Sequence, residues 1–202
     1  MYKNKGDADD PHNYRGITLL SCLDKLFTSI INDRLTHISN RYAIVQETQA
    51  GFRQGYSTLD HIFLLKSGID LFLWKRKKLL CLIIDYQKAF DIIWRDGLWY
   101  KMVKANIGGK VFTVIKNIYM NIKSCVKLKQ KTSDTFICTK GVRQGENLFP
   151  LLFALYVNDF QDSLIENSCN YLLFDYDFLD LHLNLLVMMC ADDTVILVSN
   201  EE

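Results

Sequence analysis

Leu79-Leu80-Cys81-Leu82-Ile83-Ile84-Asp85-Tyr86-Gln87-Lys88-Ala89-Phe90-Asp91 is the stretch whose reading sets the fold. Leu79 to Ile84 is apolar without alternation, which predicts a strand over Leu79 to Asp85 covered on both faces. A second apolar run, Leu185 to Cys190, ends the same way at Ala191-Asp192-Asp193, and Thr194 to Val198 resumes a strand pattern. The spacing predicts a hairpin with both acids at its tip. A carboxylate is costly to bury unless a positive charge compensates it. A divalent cation is therefore the first partner to consider for these acids.

Around these runs the pattern is mostly helical. Asn13-Tyr14-Arg15-Gly16 reads as a loop, followed by a helix with Leu23, Leu26, Phe27, Ile30, Ile31, Leu35 and Ile38 on its apolar face. A polar link leads to Ala50-Gly51-Phe52-Arg53-Gln54-Gly55-Tyr56-Ser57-Thr58. Ser57 or Thr58 can cap a second helix carrying Leu59, Ile62, Phe63, Ile69, Phe72 and Leu73, which the basic knot from Trp74 to Lys78 ends. Helices are expected around Leu98 to Asn106 and Lys110 to Ile122, then a hairpin from Ser124 to Lys129 and Thr135 to Thr139. The loop Gly141 to Gly145 opens a helix from about Leu148 to Leu164, with Pro150 tolerated in its first turn.

With 202 residues, 49% of them hydrophobic, the chain can bury one substantial core, with or without a satellite subdomain. Only two prolines and no long linker argue against independently folding domains. The formal net charge of +1 hides a polarity. Lys101 to Arg143 holds ten Lys or Arg against one acid, Asp134, whereas Gln144 to Glu202 holds no Lys or Arg against eleven acids. Such a distribution suits a polyanion on one segment and cations on the other, unless both are simply solvated faces. The six cysteines form no C-x-x-C pair and the four histidines no ligand spacing, so neither a disulfide framework nor a zinc site is indicated. The start of the chain is polar and the apolar runs fall short of a membrane span, so a soluble intracellular protein of nucleus or cytoplasm is expected, without a membrane partner.

The order Asp85-x-x-Lys88-Ala89-Phe90-Asp91, Gly141-Val142-Arg143-Gln144-Gly145, Ala191-Asp192-Asp193 resembles the palm of a reverse transcriptase, specifically the non-LTR (LINE-type) retrotransposon branch, over nearly the whole chain. The resemblance implies an α+β fold: a mostly antiparallel palm sheet backed by helices over about 79–202, and partial, largely helical fingers over about 1–78. It implies RNA-directed DNA polymerase activity, with an RNA template, a DNA primer and deoxynucleoside triphosphates as partners. The implied cofactor is a pair of Mg2+ ions (Mn2+ as substitute), roughly 3.5–4 Å apart, clamping the attacking and leaving oxygens.

On this resemblance Asp85 and Asp192 bind the metals, Asp193 assists, and the backbone carbonyl of Tyr86 adds a ligand. Taken without it, Asp192-Asp193 reads as an ordinary turn. Phe90 would pack beneath the incoming sugar and exclude a 2′-hydroxyl, or else be a core ring. Gln144 and Gly145 would lie beside the nucleotide, where glycine lets the backbone approach. Arg53 and then Arg15 are the candidates for triphosphate and template, since a guanidinium binds phosphate bidentately. Lys75, Arg76, Lys77, Lys78, Lys127, Lys129 and Arg143 would follow a nucleic-acid backbone with salt-dependent affinity, or stay solvated.

Two positions depart from the family pattern. Cys190 stands where Tyr or Phe usually precedes Ala-Asp-Asp, and Phe149 stands where a small capping hydroxyl is usual, a change expected to cost the helix start about 0.5–2 kcal/mol. The chain ends directly after the catalytic hairpin, so the expectation is a fragment of a polyprotein lacking thumb and endonuclease, weak or inactive by itself. Two alternatives stand beside this. One is a catalytically dead remnant that only binds nucleic acid; the other is a gene-model fragment that leaves apolar surface such as Leu181 to Met189 uncovered.

Overall fold

The computed structural model describes the chain apart from residues 1, 3, 5, 8, 15, 129, 168–171, 177–180 and 200–202, and gives backbone alone for 12, 172–176 and 181–185. In chain order the elements are α1 (Cys22–Arg41), α2 (Thr58–Trp74), β1 (Leu79–Ile84), α3 (Arg95–Lys104) and α4 (Gly109–Met120). Short strands β2 (Lys123–Ser124), β3 (Lys127–Leu128), β4 (Lys131–Thr132) and β5 (Phe136–Ile137) follow. Then come α5 (Phe149–Val157), α6 (Phe160–Glu166), β6 (Leu172–Tyr176), β7 (Leu181–Leu185), β8 (Val187–Cys190) and β9 (Asp193–Ser199). They form two compact units, each made of two separated stretches: Met1–Tyr42 with Lys88–Phe153, and Ala43–Gln87 with Ala154–Glu202.

In the first unit, Ser21 caps α1 by accepting the Asp24 N–H. The helix buries only part of the apolar face read from its periodicity. Thr28, Ile31, Leu35 and Ser39 face inward, while Leu23, Leu26, Phe27 and Ile30 are exposed. The Thr28 hydroxyl donates to the Lys25 carbonyl, so it is satisfied within the helix. Ile93, Leu98, Met102, Ile107, Ile115, Tyr119, Leu148 and Leu152 are fully buried, each Leu, Ile or Met stabilising by roughly 1.5–3 kcal/mol. The expected hairpin is present as a nested pair, β2 with β5 and β3 with β4. Pro150 lies in the first turn of α5, where its missing N–H costs nothing.

The second unit is built on an antiparallel sheet of order β1-β9-β8. Its register runs from Leu79↔Ser199 to Ile84↔Thr194 and from Val187↔Ile196 to Cys190↔Asp193. Leu71 and Phe72 of α2, with Leu64 and Leu65, pack on Met188, Leu197, Leu79 and Val195. On the alternate positions, Val157, Phe160, Leu164 and Ile165 pack on Val187, Met189, Ile196 and Ile84. The capping box at the start of α2 is complete: Ser57 Oγ takes the Leu59 N–H, and the Asp60 carboxylate takes the Ser57 N–H.

Four expectations need correction here. β1 is not covered on both faces, since Leu80, Leu82 and Ile83 are 58, 57 and 74% exposed. The strand lies at the sheet edge, and the helices cover β9 and β8 instead. On α2, Phe72 is buried as expected, but Leu59, Ile62, Phe63 and Leu73 are exposed. The single helix expected from Leu148 to Leu164 is broken after Val157. At the break the Asn158 side chain accepts the Gln46 N–H and donates to the Ile44 carbonyl, both at 2.8 Å. Leu186 to Met189 are buried rather than uncovered, while the side chains of 181–185 lie outside the described residues. Among the described residues no helix is long and apolar enough to cross a membrane.

Candidate active site

The sheet register sets where the acids stand. Cys190 pairs with Asp193, so Ala191 and Asp192 alone form the turn between β8 and β9. Ile84 pairs with Thr194, and Asp85 follows it at the same end of the sheet. Asp193 opens β9 directly before Thr194, so Asp85, Asp192 and Asp193 all belong to this end of the sheet. Asp192 is half-buried, whereas Asp85 and Asp193 are exposed. The premise that these carboxylates are buried is therefore wrong for two of the three: they sit at the rim of the sheet, in water. The Cys190 thiol is pushed up by burial first, then by the carboxylates of Asp193 and Asp192, so it stays neutral beside them at neutral pH.

Among the described residues no three His, Cys, Asp or Glu side chains are gathered to hold a metal ion. The donors at this end are carboxylate oxygens, with the half-buried Tyr86 following Asp85. That donor type suits magnesium, which prefers hard oxygens and uses few protein carboxylates because phosphate and water complete its shell.

The turn itself is strained. Ala191 has φ +59, in the left-handed region that costs a non-glycine residue of order 1–3 kcal/mol. A neighbouring segment holds it. Thr48 and Ala50 bracket Met189, the Met189 N–H donating to the Thr48 carbonyl (2.7 Å) and the Ala50 N–H to the Met189 carbonyl (2.8 Å). Between them the Gln49 side chain, 1% exposed, donates from Nε2 to the Ala191 carbonyl (3.1 Å) and accepts the Ala191 N–H on Oε1 (2.9 Å). The same oxygen accepts the Gly51 N–H at 2.8 Å. Gly51 has no alternative here, because a Cβ would lie 2.1 Å from the Ala191 nitrogen. Arg53 donates from Nη1 to the Gln46 and Gln49 carbonyls and stacks on Tyr56, its guanidinium 3.9 Å from the ring centre. Its fork is thus partly engaged with its own loop.

In the first unit the remaining motifs meet each other. The Val142 N–H donates to the Phe90 carbonyl and the Gly141 N–H to the Ile93 carbonyl. Gly141 has φ +79, and a Cβ there would lie 2.4 Å from the Asp91 carbonyl oxygen. The Thr18 N–H donates to the Gln144 carbonyl, and Gly145 lies against the Thr18 backbone. Phe90 packs edge-on against Phe149 and Phe153, with ring centres 5.3 and 4.8 Å away, and stays half-buried. The departure at Phe149 is thus a packing partner of the candidate sugar-contacting ring. Arg143 forms a two-pronged pair with the buried Glu146, at 3.1 and 2.9 Å. Lys75, Arg76, Lys77, Lys78 and Lys127 are exposed, while Arg15 and Lys129 lie outside the described residues.

The sequence reading passed over several residues that organise these sites. Arg95 is buried and donates to the carbonyls of Gly141, Tyr119, Cys138 and Lys140, which fixes the path into the Gly141 loop. The Tyr119 hydroxyl donates to Glu146, completing a buried group with Arg143. Gln49 was missed as a member of a polar link. Its only signal was its place directly before the Ala50-Gly51-Phe52-Arg53 motif.

A family model described as "Reverse transcriptase (RNA-dependent DNA polymerase)" matches residues 2–202. The chain is 34% identical over 159 residues to the "Probable RNA-directed DNA polymerase from transposon BS" of Drosophila melanogaster, covering 79% of this chain and 17% of that relative. It is 26% identical over 160 residues to the "Retrovirus-related Pol polyprotein from type-1 retrotransposable element R2" of Popillia japonica, covering 79% and 22%. The chain therefore spans about a fifth of the length of these curated relatives. In fold it is similar to a telomerase from Candida albicans solved with a fragment of telomeric RNA. That likeness has a TM-score of 0.56 at 14% identity, covering 89% of this chain and 31% of that one. With the acid-tipped sheet in place and a family match across almost its full length, the chain belongs to the reverse transcriptase family, in the branch of the non-LTR retrotransposons.

Proposed function

We propose that this chain is the RNA-directed DNA polymerase segment of a retrotransposon protein, with the β1-β9-β8 sheet as its palm and the helical region before residue 79 contributing to its fingers. The observation that carries the reading is the register that brings Asp85 and Asp192-Asp193 to one end of that sheet. These carboxylates would hold two magnesium ions, with the Tyr86 carbonyl as a further donor. The ions, when bound, would supply charge stabilisation at the attacking and leaving oxygens of phosphoryl transfer. The chain's own residues orient the partners. Phe90, braced by Phe149 and Phe153, would sit beneath a deoxyribose, and Gln144 and Gly145 would present backbone to the nucleotide. The free face of Arg53 and the exposed run Lys75 to Lys78 would meet phosphates of triphosphate, template or primer.

The test is primer extension on an RNA template with deoxynucleoside triphosphates, by this chain alone and joined to the downstream part of a retrotransposon polymerase. Magnesium-dependent extension is expected, and Asp192→Asn should abolish it. Extension that Asp192→Asn leaves intact would sink the reading. Binding of RNA or DNA that weakens steeply with salt, without extension in either form, would instead favour a remnant that only binds nucleic acid.

A further inference from the structure

We infer that Gln49 is a positioning residue for the acid-bearing turn: its buried amide grips both backbone groups of Ala191 and so fixes the aim of the adjoining Asp192. This rests on the proposed role of Asp192 as a metal ligand. The turn needs such a grip because its two-residue loop has its first residue at φ +59, a conformation that hairpin turns usually give to glycine. Alanine there would relax toward another backbone geometry and swing Asp192 with it. Gln49 opposes this with one donor and one acceptor at the same residue, a pairing that no single-function side chain of similar length reproduces. The grip is anchored on its own side as well. Oε1 also takes the Gly51 N–H, and the flanking residues Thr48 and Ala50 are bonded to Met189 of β8. The contact of Gly51 with Ala191 leaves no room for a side chain, so loop and turn are held face to face. Arg53 ties the carbonyl of Gln49 back to the same loop, which limits drift of the amide.

The role differs from plain structural support in one respect: glycine at 191 should make the grip dispensable. The experiment uses the whole chain and its variants Gln49→Met, Ala191→Gly and the double variant. Two quantities are read: amide hydrogen exchange across 189–193, and Mn2+ affinity by electron paramagnetic resonance. In the wild-type chain the Ala191 amide should be protected, because Gln49 Oε1 is its acceptor. Gln49→Met should speed exchange in the turn and weaken Mn2+ binding by about 10–100-fold, the usual cost of losing a support behind a metal ligand. Adding Ala191→Gly should recover most of both losses. An unprotected Ala191 amide in the wild type overturns the inference even if the Gln49→Met chain fails to fold. So does faster exchange with unchanged Mn2+ affinity, or a double variant no better than Gln49→Met. If the wild type binds no Mn2+, the metal reading fails, and the grip on the turn stands or falls on exchange and its recovery by glycine.

Discussion

Tyr119 shows how a single side chain ties chemistry to stability. Its ring is 1% exposed and its hydroxyl donates to the buried Glu146, which also receives the Arg143 guanidinium. Burial first, and then the Glu146 carboxylate, push the phenol well above its ordinary value. A group whose folded value is raised holds its proton more tightly in the native state, so its contribution is intact below about pH 10 and is lost as pH climbs beyond that. Unfolding free energy measured in urea is therefore expected to fall with pH above about 10. Tyr119→Phe should flatten that dependence, and an unchanged slope in that variant would contradict the buried donor role. The residue scale also explains what was hard to read. Nothing in the local sequence says that Arg95 will spend its guanidinium on four carbonyls, because its acceptors come from positions 119 to 141.

At the scale of the element, local chemistry and packing part company. The start of α2 was legible from Ser57 and the residues after it, because a capping box is a short-range arrangement. Ser57→Ala should cost about 0.5–2 kcal/mol in urea unfolding, and a variant as stable as the parent would deny the cap. The faces of α1 and α2 were not legible in the same way. Periodicity marked a broad apolar stripe on each, but only the neighbours of a helix decide which part of a stripe is covered. On α1 that choice fell on a line containing Thr28 and Ser39, both buried. At the break between α5 and α6, Asn158 bonds to residues 44 and 46, a contact far off in sequence that local reading does not reach.

For the molecule as a whole, the notable feature is apolar surface left uncovered at the edge of the main sheet. Leu80 and Leu82 lie on the same side of β1, each more than half exposed, and among the described residues no strand pairs with its outer edge in that sheet. Edges of this kind recruit further strands. The isolated chain should bind a hydrophobic dye and scatter light increasingly with concentration. The pair Leu80→Lys and Leu82→Lys should reduce both without lowering the melting temperature. No reduction would mean that β1 is covered in solution.

The sequence by itself determined the order from α1 to α4, the cap of α2, the acid-tipped strands and the family, because each is written in residues close together or in motifs whose order is distinctive. Tertiary structure alone decided that β1 lies at an edge, that Asp85 and Asp193 stand in water, and that Gln49 holds the Ala191 turn. These depend on which distant segments meet: 142 residues separate Gln49 from Ala191, and no local pattern encodes a contact of that range.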